Sequence, residues 1–303
     1  MHQEIEILGS KNTVVKGNKW IIDETPKKSV VIVHGMAEYS FRYNDFAEFL
    51  NENGYDVFAL DHLGHGLNIK DPSEIMVWPK DGFVQCVENV KILIESLQKE
   101  GREVVVFAHS MGSFMGQMLI ETYPDLIKKI ILCGTGGPDP LGGIEKFIIK
   151  TYSLFTGKGL KKAPIINKIA FGTFNNKVKN KRTDLDWLSE SNENVDKYIA
   201  DPYCGGIPSK NFFTSFIPKR IDVPKKKNVK KINPMMRVMF IAGSDDPVGA
   251  YTKTIKKLQI LYTKHKINTT FISYKNKRHE ILNEDNKEQV YKDVLRFLNE
   301  RDY

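Results

Sequence analysis

Two rhythms of apolar and polar residues run along this chain. Short, nearly continuous apolar runs, many of them β-branched, recur at 30–34, 57–60, 104–108, 129–132, 238–242 and 270–274. Such runs predict strands buried on both faces, as in a parallel sheet covered by helices. The first residues, 4–8, alternate Glu4, Ile5, Glu6 and Ile7 and predict an edge strand, with another at 19–22. Between the runs the period changes to that of a helix. In Asp81–Lys99, Phe83, Val87, Val90, Ile94 and Leu97 share one face, with Asp81 as the expected N-cap. Ser113–Tyr123 is also helix-like, and near the end Lys287–Asn299 buries Val290, Val294, Leu295 and Leu298. Alternating elements of this kind define an α/β class with a mostly parallel, eight-stranded sheet. The alternation breaks at about residue 136, where Gly136-Gly137-Pro138 and Gly142-Gly143 precede an apolar stretch with Phe147, Tyr152 and Phe155, and resumes only at Arg237. No internal repeat is visible.

The chemistry sits at the strand ends. Val104-Val105-Val106-Phe107 runs into Ala108-His109-Ser110-Met111-Gly112 and then into a helix, so Ser110 occupies a one-residue corner between strand and helix. A serine on such a corner is lifted clear of the sheet, with a helix N-terminus and neighbouring backbone N–H groups facing the reacting oxygen. Strand and helix pass closely there, so the residues two before and two after must be small; they are Ala108 and Gly112. A serine hydroxyl needs a base and an acid that orients the base. Both follow in order: Ser244-Asp245-Asp246-Pro247 after the strand at 238–242, and Arg278-His279-Glu280 after the strand at 270–274. Spacing alone leaves the choice between Asp245 and Asp246 open. His109 reads as a packing or hydrogen-bonding residue beneath the serine, and His34, His62 and His65 as loop-fixing residues. Their spacing matches no metal-ligand template, and no metal or cofactor is assigned.

At this point the chain resembles the α/β-hydrolase family, and within it the monoacylglycerol lipase and bacterial lysophospholipase branch. The resemblance spans nearly the whole sequence: His34-Gly35-Met36-Ala37-Glu38, Asp61-His62-Leu63-Gly64-His65-Gly66, His109-Ser110-Met111-Gly112, Gly243-Ser244-Asp245-Asp246 and Arg278-His279-Glu280 fall in the family's order. It implies a catalytic Ser110, Asp246 as the acid, His279 as the base, and the backbone N–H groups of Met36 and Met111 as oxyanion donors. It also implies a hydrolase core at 1–135 and 232–303, with an inserted cap at 136–231 that encloses an acyl chain; Phe147, Tyr152 and Phe155 are the candidate substrate contacts. The implied function is a serine ester hydrolase acting on monoacylglycerols or lysophospholipids. Acyl-thioesterase or aminopeptidase chemistry uses the same parts, because fold and triad specify acyl transfer and not the leaving group. A non-catalytic binding protein of this fold requires a broken triad, and a dehalogenase requires Asp in place of Ser110.

Composition adds a charge asymmetry. Of the 45 Lys+Arg and 37 Asp+Glu in the 303 residues, 19 basic and 9 acidic ones fall between Pro138 and Lys231, so the formal net charge of +8 is carried by the inserted segment. That excess fits either contact with an anionic membrane surface or an ordinary solvated lysine face. Lys225-Lys226-Lys227-Asn228-Val229-Lys230-Lys231 lacks the motif and aromatic interleaving of a nucleic-acid site, so no nucleic-acid partner is expected. No apolar stretch reaches the ~20 residues that span a bilayer, and no export signal follows Met1, so the expectation is a soluble cytoplasmic protein. Cys86, Cys133 and Cys204 are odd in number and scattered, as buried free thiols.

Overall fold

The computed structural model describes residues 1–23, 25, 28–140, 142–155 and 159–300. In chain order the elements are β1 His2–Leu8, β2 Val14–Trp20, β3 Ser29–Val33, α1 Asn44–Glu52, β4 Asp56–Leu60, α2 Gly82–Lys99, β5 Val104–His109, α3 Met111–Thr122 and β6 Lys129–Cys133. A helical segment follows, with α4 Gly142–Phe155, α5 Pro164–Phe171, α6 Asn192–Ala200, α7 Lys210–Asp222 and α8 Lys226–Val229. Then come β7 Arg237–Gly243, α9 Lys253–Lys264, β8 Asn268–Tyr274 and α10 Lys287–Asn299.

The strands form one sheet of eight, in the order β1-β2-β4-β3-β5-β6-β7-β8. Pairing is antiparallel for β1 with β2 and β2 with β4, and parallel from β4 onward. Both faces of the central strands are covered, which is why they read as continuous apolar runs. In β3, Val31 and Val33 face the core under α2, α3 and α9, whereas Val30 and Ile32 face the core under α1 and α10. In β5, Val104, Val106 and Ala108 turn to the first side, Val105 and Phe107 to the second.

Two local expectations are corrected. The second strand runs over Val14–Trp20 and not 19–22. Its polar middle, Lys16-Gly17-Asn18, disguises it, but Gly17 pairs with Leu60 so closely that a Cβ there would stand 2.2 Å from the Ala59 carbonyl oxygen. Asp81 precedes α2 but its side chain caps no helical N–H; it accepts instead from Lys11 Nζ at 2.5 Å and Gln85 Nε2 at 2.6 Å.

Between β6 and β7 the described residues contain helices and one isolated bridge, Lys162 with Ser209, but no strand. These helices pack on the C-terminal edge of the parallel strands, where α7 meets α2, α3 and α4 and buries Phe212, Phe213, Phe216 and Ile217 in the main core. Among the described residues no helix is long and apolar enough to cross a membrane. Cys86 and Cys133 are buried free thiols, whereas Cys204 is partly exposed.

Candidate active site

Ser110 stands at the end of β5 with φ 52° and ψ −120°, a left-handed conformation unusual for a residue with a Cβ. Strain of this kind costs about 1–3 kcal/mol and persists only where the surroundings enforce it. The enforcement is visible in the neighbours. The Ser110 N–H donates to the Cys133 carbonyl at 2.9 Å, and Ser113 N–H returns to the Ser110 carbonyl at 2.9 Å. Gly112 lies so close to β3 that a Cβ would meet the Val33 carbonyl oxygen at 2.1 Å, and a Cβ on Gly116 would stand 3.0 Å from that of Ala108. Small residues on both sides of the corner therefore let α3 rest directly on the sheet, which turns the serine side chain out at its edge.

His279 and Asp246 meet Ser110 from two later loops. His279 Nδ1 lies 2.9 Å from Asp246 Oδ2, and Nε2 lies 2.7 Å from Ser110 Oγ. A carboxylate only accepts, so Nδ1 carries the proton, and Nε2 presents its lone pair to the serine hydroxyl. The second Asp246 oxygen accepts the Val248 N–H at 2.9 Å. Asp246 is 0% and His279 2% exposed. Burial opposes the imidazolium of His279, but the Asp246 carboxylate beside it, with Glu280 and Glu38 behind, outweighs burial and moves the ring's pKa upward. Asp245, the alternative acid, is exposed and accepts from Ser244 Oγ at 2.8 Å. Gly134, at φ 57°, leaves room for the imidazole, since a Cβ there would lie 3.0 Å from His279 Cε1.

The loop after β3 approaches Ser110 from the other side: a Cβ on Gly35 would touch the serine Cβ at 3.0 Å. Most polar backbone groups of this loop are occupied. Gly35 N–H donates to Glu38 Oε1 at 2.6 Å, Ala37 N–H to His65 Nε2 at 3.3 Å, and the Ala37 carbonyl accepts from Tyr198 Oη at 2.8 Å and Gly205 N–H at 2.9 Å. Among the described residues the N–H groups of Met36 and Met111 donate to no protein acceptor, and both residues border the cavity at Ser110. His34 donates from Nδ1 to the Gly35 carbonyl while its Nε2 accepts the His62 N–H, and His62 donates back to the His34 carbonyl. Burial holds all three loop histidines neutral, with His62 pushed down to about 3 and His65 to about 4. Among the described residues no group of three or more His, Cys, Asp or Glu is arranged to hold a metal.

Ser110 lies where two chambers meet, with Met36, Phe171 and Trp187 shared by both. The first, about 460 Å³, is walled mainly by apolar side chains, among them Phe114, Ile148, Phe174, Phe216, Ile217 and Val248. The second, about 440 Å³, is more polar and is lined by His279, Asn167, Lys168, Asn175, Lys181 and Asp184. Two of the three sequence-based contact residues fall elsewhere. Phe147 is 70% exposed, Tyr152 is half-buried against the core, and neither lines a chamber; the side chain of Phe155 lies outside the described residues. Ile144 and Ile148 of α4 border the apolar chamber although they are themselves 61% and 40% exposed, and Phe147, between them in sequence, faces solvent. Trp187, whose ring centroid lies 5.1 Å from that of His279 at a tilt of 40°, and Arg42, which forks onto Glu280 at 2.7 and 2.8 Å, carried no local signal.

A doubly covered, mostly parallel sheet with a serine on a strained strand-to-helix corner and a histidine–carboxylate pair from two later strand ends defines an α/β-hydrolase. Residues 24–286 match the family model Hydrolase_4, described as serine aminopeptidase, S33, and the chain belongs to that family. It is 26% identical to a monoacylglycerol lipase of Mycolicibacterium smegmatis over 63% of its length and 61% of the relative's. It is 29% identical to the monoglyceride lipase of Rattus norvegicus over 60% of its length and 54% of the relative's. The matched region thus spans between half and two thirds of these relatives. A thermostable carboxyl esterase from Bacillus coagulans, solved with glycerol, superposes over 98% of both chains at a TM-score of 0.90 and 25% identity. A lipase solved in an open form does so at 0.84 and 22% identity over 99% of this chain and 98% of that one, a likeness of fold.

Proposed function

We propose that this protein is a serine ester hydrolase that cleaves single-acyl-chain lipid esters, with Ser110 as nucleophile, His279 as base and Asp246 as the acid that orients it. The observation that carries the reading is the continuous hydrogen-bonded chain from Ser110 through His279 to Asp246, set where an apolar and a polar chamber meet. His279 Nε2 takes the hydroxyl proton as Ser110 Oγ attacks the ester carbon, and the developing oxyanion accepts from the N–H groups of Met36 and Met111. The imidazolium then protonates the leaving alcohol oxygen as the acyl–oxygen bond breaks. Water, deprotonated by His279, attacks the acyl-serine, and the imidazolium returns that proton to Ser110 Oγ as the acyl–serine bond breaks, which releases the carboxylic acid and restores the enzyme.

The asymmetry of the chambers supports a placement of the two halves of the substrate. The leaving oxygen must lie beside the base, and His279 lines the polar chamber but not the apolar one. The alcohol therefore occupies the polar side and the acyl chain the apolar side. Residues 136–231 act as the cap of the core at 1–135 and 232–303, enclosing the chain and excluding water. Beside the apolar chamber, α4 and α5 expose Ile144, Phe147, Ile165 and Ile169, an apolar face that suits delivery of a glycerolipid or lysophospholipid from a lipid surface. The relatives named as monoglyceride lipases support the same substrate class.

The test is hydrolysis of p-nitrophenyl esters, monoacylglycerols, lysophosphatidylcholine, acyl thioesters and aminoacyl amides, with Ser110→Ala as control. Ester cleavage should dominate, and Ser110→Ala should lose several orders of magnitude and all fluorophosphonate labelling while remaining folded. Dominant amide cleavage would shift the function to peptidase; labelling retained in Ser110→Ala would mean another nucleophile.

A further inference from the structure

A buried ionic cluster behind the triad joins three parts of the molecule that are far apart in sequence. The Arg42 guanidinium donates to Glu38 Oε2 at 3.0 Å and makes a two-pronged contact with both oxygens of Glu280. Glu38 closes the loop of the Met36 N–H: its other oxygen accepts Gly35 N–H at 2.6 Å and the Tyr43 hydroxyl at 2.9 Å. Glu280 is the residue after His279, and its own N–H donates to the Leu188 carbonyl at 2.7 Å. The helical segment completes the knot from α6, where Asn194 Nδ2 donates to Glu280 Oε2 at 2.8 Å and the Tyr198 hydroxyl to the Ala37 carbonyl at 2.8 Å, while Arg42 lies 4.9 Å over the Tyr198 ring.

We propose that Arg42 is a positioning residue: by clamping Glu38 against Glu280 it holds the Met36 N–H and the His279 imidazole in fixed register across Ser110, with Asn194 and Tyr198 locking α6 onto the same clamp. This rests on the role proposed above for Met36 and His279. Two features favour positioning over stability. Buried ion clusters are seldom net stabilising against apolar replacements of similar size, so stability alone gives little reason for two carboxylates and a guanidinium in this place. The planar two-pronged fork also fixes the direction of the Glu280 side chain, and with it the backbone that carries His279, as a point charge cannot. A displacement of about 1 Å between donor, base and nucleophile is enough to cost on the order of a hundredfold in rate.

The test removes the charges together, because a single change leaves its buried partners without a counter-charge. Glu38→Gln, Arg42→Met and Glu280→Gln are combined in one variant, kinetics are measured on soluble p-nitrophenyl butyrate, and folding is followed by circular dichroism and thermal melting. The expected result is a folded protein with a melting temperature near that of the wild type, kcat reduced ~30-fold or more, and KM within about threefold. Tyr198→Phe, which removes the hydroxyl's bond to the Ala37 carbonyl and the one it accepts from Gly205 N–H at 3.2 Å and keeps the ring on Arg42, provides a milder variant that should fold and lose about three- to tenfold in kcat, again with KM within about threefold. Arg42→Lys should not restore the rate, since an ammonium cannot make the fork. If the triple variant folds, or Tyr198→Phe folds where the triple does not, and kcat stays within twofold of wild type, the clamp is overturned. Ser110→Ala and His279→Ala run beside them separate the two levels: activity surviving in those variants overturns the reading of the site, whereas inactive controls beside an unimpaired clamp variant overturn the clamp alone.

Discussion

Asp246→Asn isolates the proton logic of the site, because the geometry forces the outcome. In the native site Oδ1 accepts the Val248 N–H at 2.9 Å and Oδ2 accepts His279 Nδ1–H at 2.9 Å. Asparagine has one acceptor and one donor. If its oxygen keeps the backbone N–H, its NH₂ faces Nδ1, and two donors cannot meet; the imidazole moves its proton to Nε2, which then points a hydrogen at Ser110 Oγ and has no lone pair to take the serine proton. If its oxygen turns to Nδ1 instead, the NH₂ faces the Val248 N–H and leaves a buried donor unpaired. The first arrangement costs on the order of 10⁴ in kcat in a triad of this kind, which is about 5.5 kcal/mol of transition-state stabilisation. Asp245→Asn, at an exposed side chain bonded to Ser244, should change kcat by less than about threefold. The assay is steady-state hydrolysis of p-nitrophenyl butyrate at pH 7.5, with melting temperatures to show that both variants fold. A loss in Asp246→Asn below tenfold, or a larger loss in Asp245→Asn, would refute the assignment of the acid.

Gly112→Ala places a methyl 2.1 Å from the Val33 carbonyl oxygen, an overlap with backbone that α3 relieves only by lifting off the sheet; about 2–3 kcal/mol of stability should be lost, seen as a lower denaturant midpoint. Glu121, on α3 and 5% exposed, has a buried oxygen without a partner, and burial pushes its pKa from 4.5 up to about 9, with nearby Lys231 opposing. The folded state therefore keeps a proton that the unfolded chain releases, so stability falls as pH rises from about 4.5 to about 9. Glu121→Gln should remove that dependence and gain about 1–3 kcal/mol at pH 8, with no gain near pH 4; equal effects at both pH values would contradict it. If the basic surface of the helical segment draws the enzyme to anionic lipid, added salt should depress activity on lipid in anionic vesicles and spare a soluble ester. Lys225, Lys226 and Lys227, all exposed, should reproduce that pattern when changed together to Gln, and equal salt dependence for both substrates would reduce them to a solvated face.

Local pattern was enough wherever the determining contacts lie within one element. The central strands read as continuous apolar runs because helices cover both faces, and the corner at Ser110 was legible because strand, small residues and helix are contiguous. The order of Ser110, the two aspartates and His279 at successive strand ends was equally plain. The choice between two adjacent aspartates was not, because it depends on which carboxylate the loop turns inward; Asp246 meets an imidazole 33 positions away, and that imidazole meets a serine 169 positions away. Tertiary neighbours also decided smaller matters. Gly17 sits in a strand because a neighbouring backbone presses against it, and Asp81 turned from helix cap to ion-pair partner because Lys11, 70 positions away, lies beside it. The chamber walls and the clamp were beyond reach for the same reason: that Ile144 and Ile148 border the chamber and Phe147 does not depends on what α4 packs against, and Arg42 and Glu280 are 238 residues apart. Hydrophobic periodicity records whether a side chain is buried within its own element. Only the folded chain records which partner it is buried against.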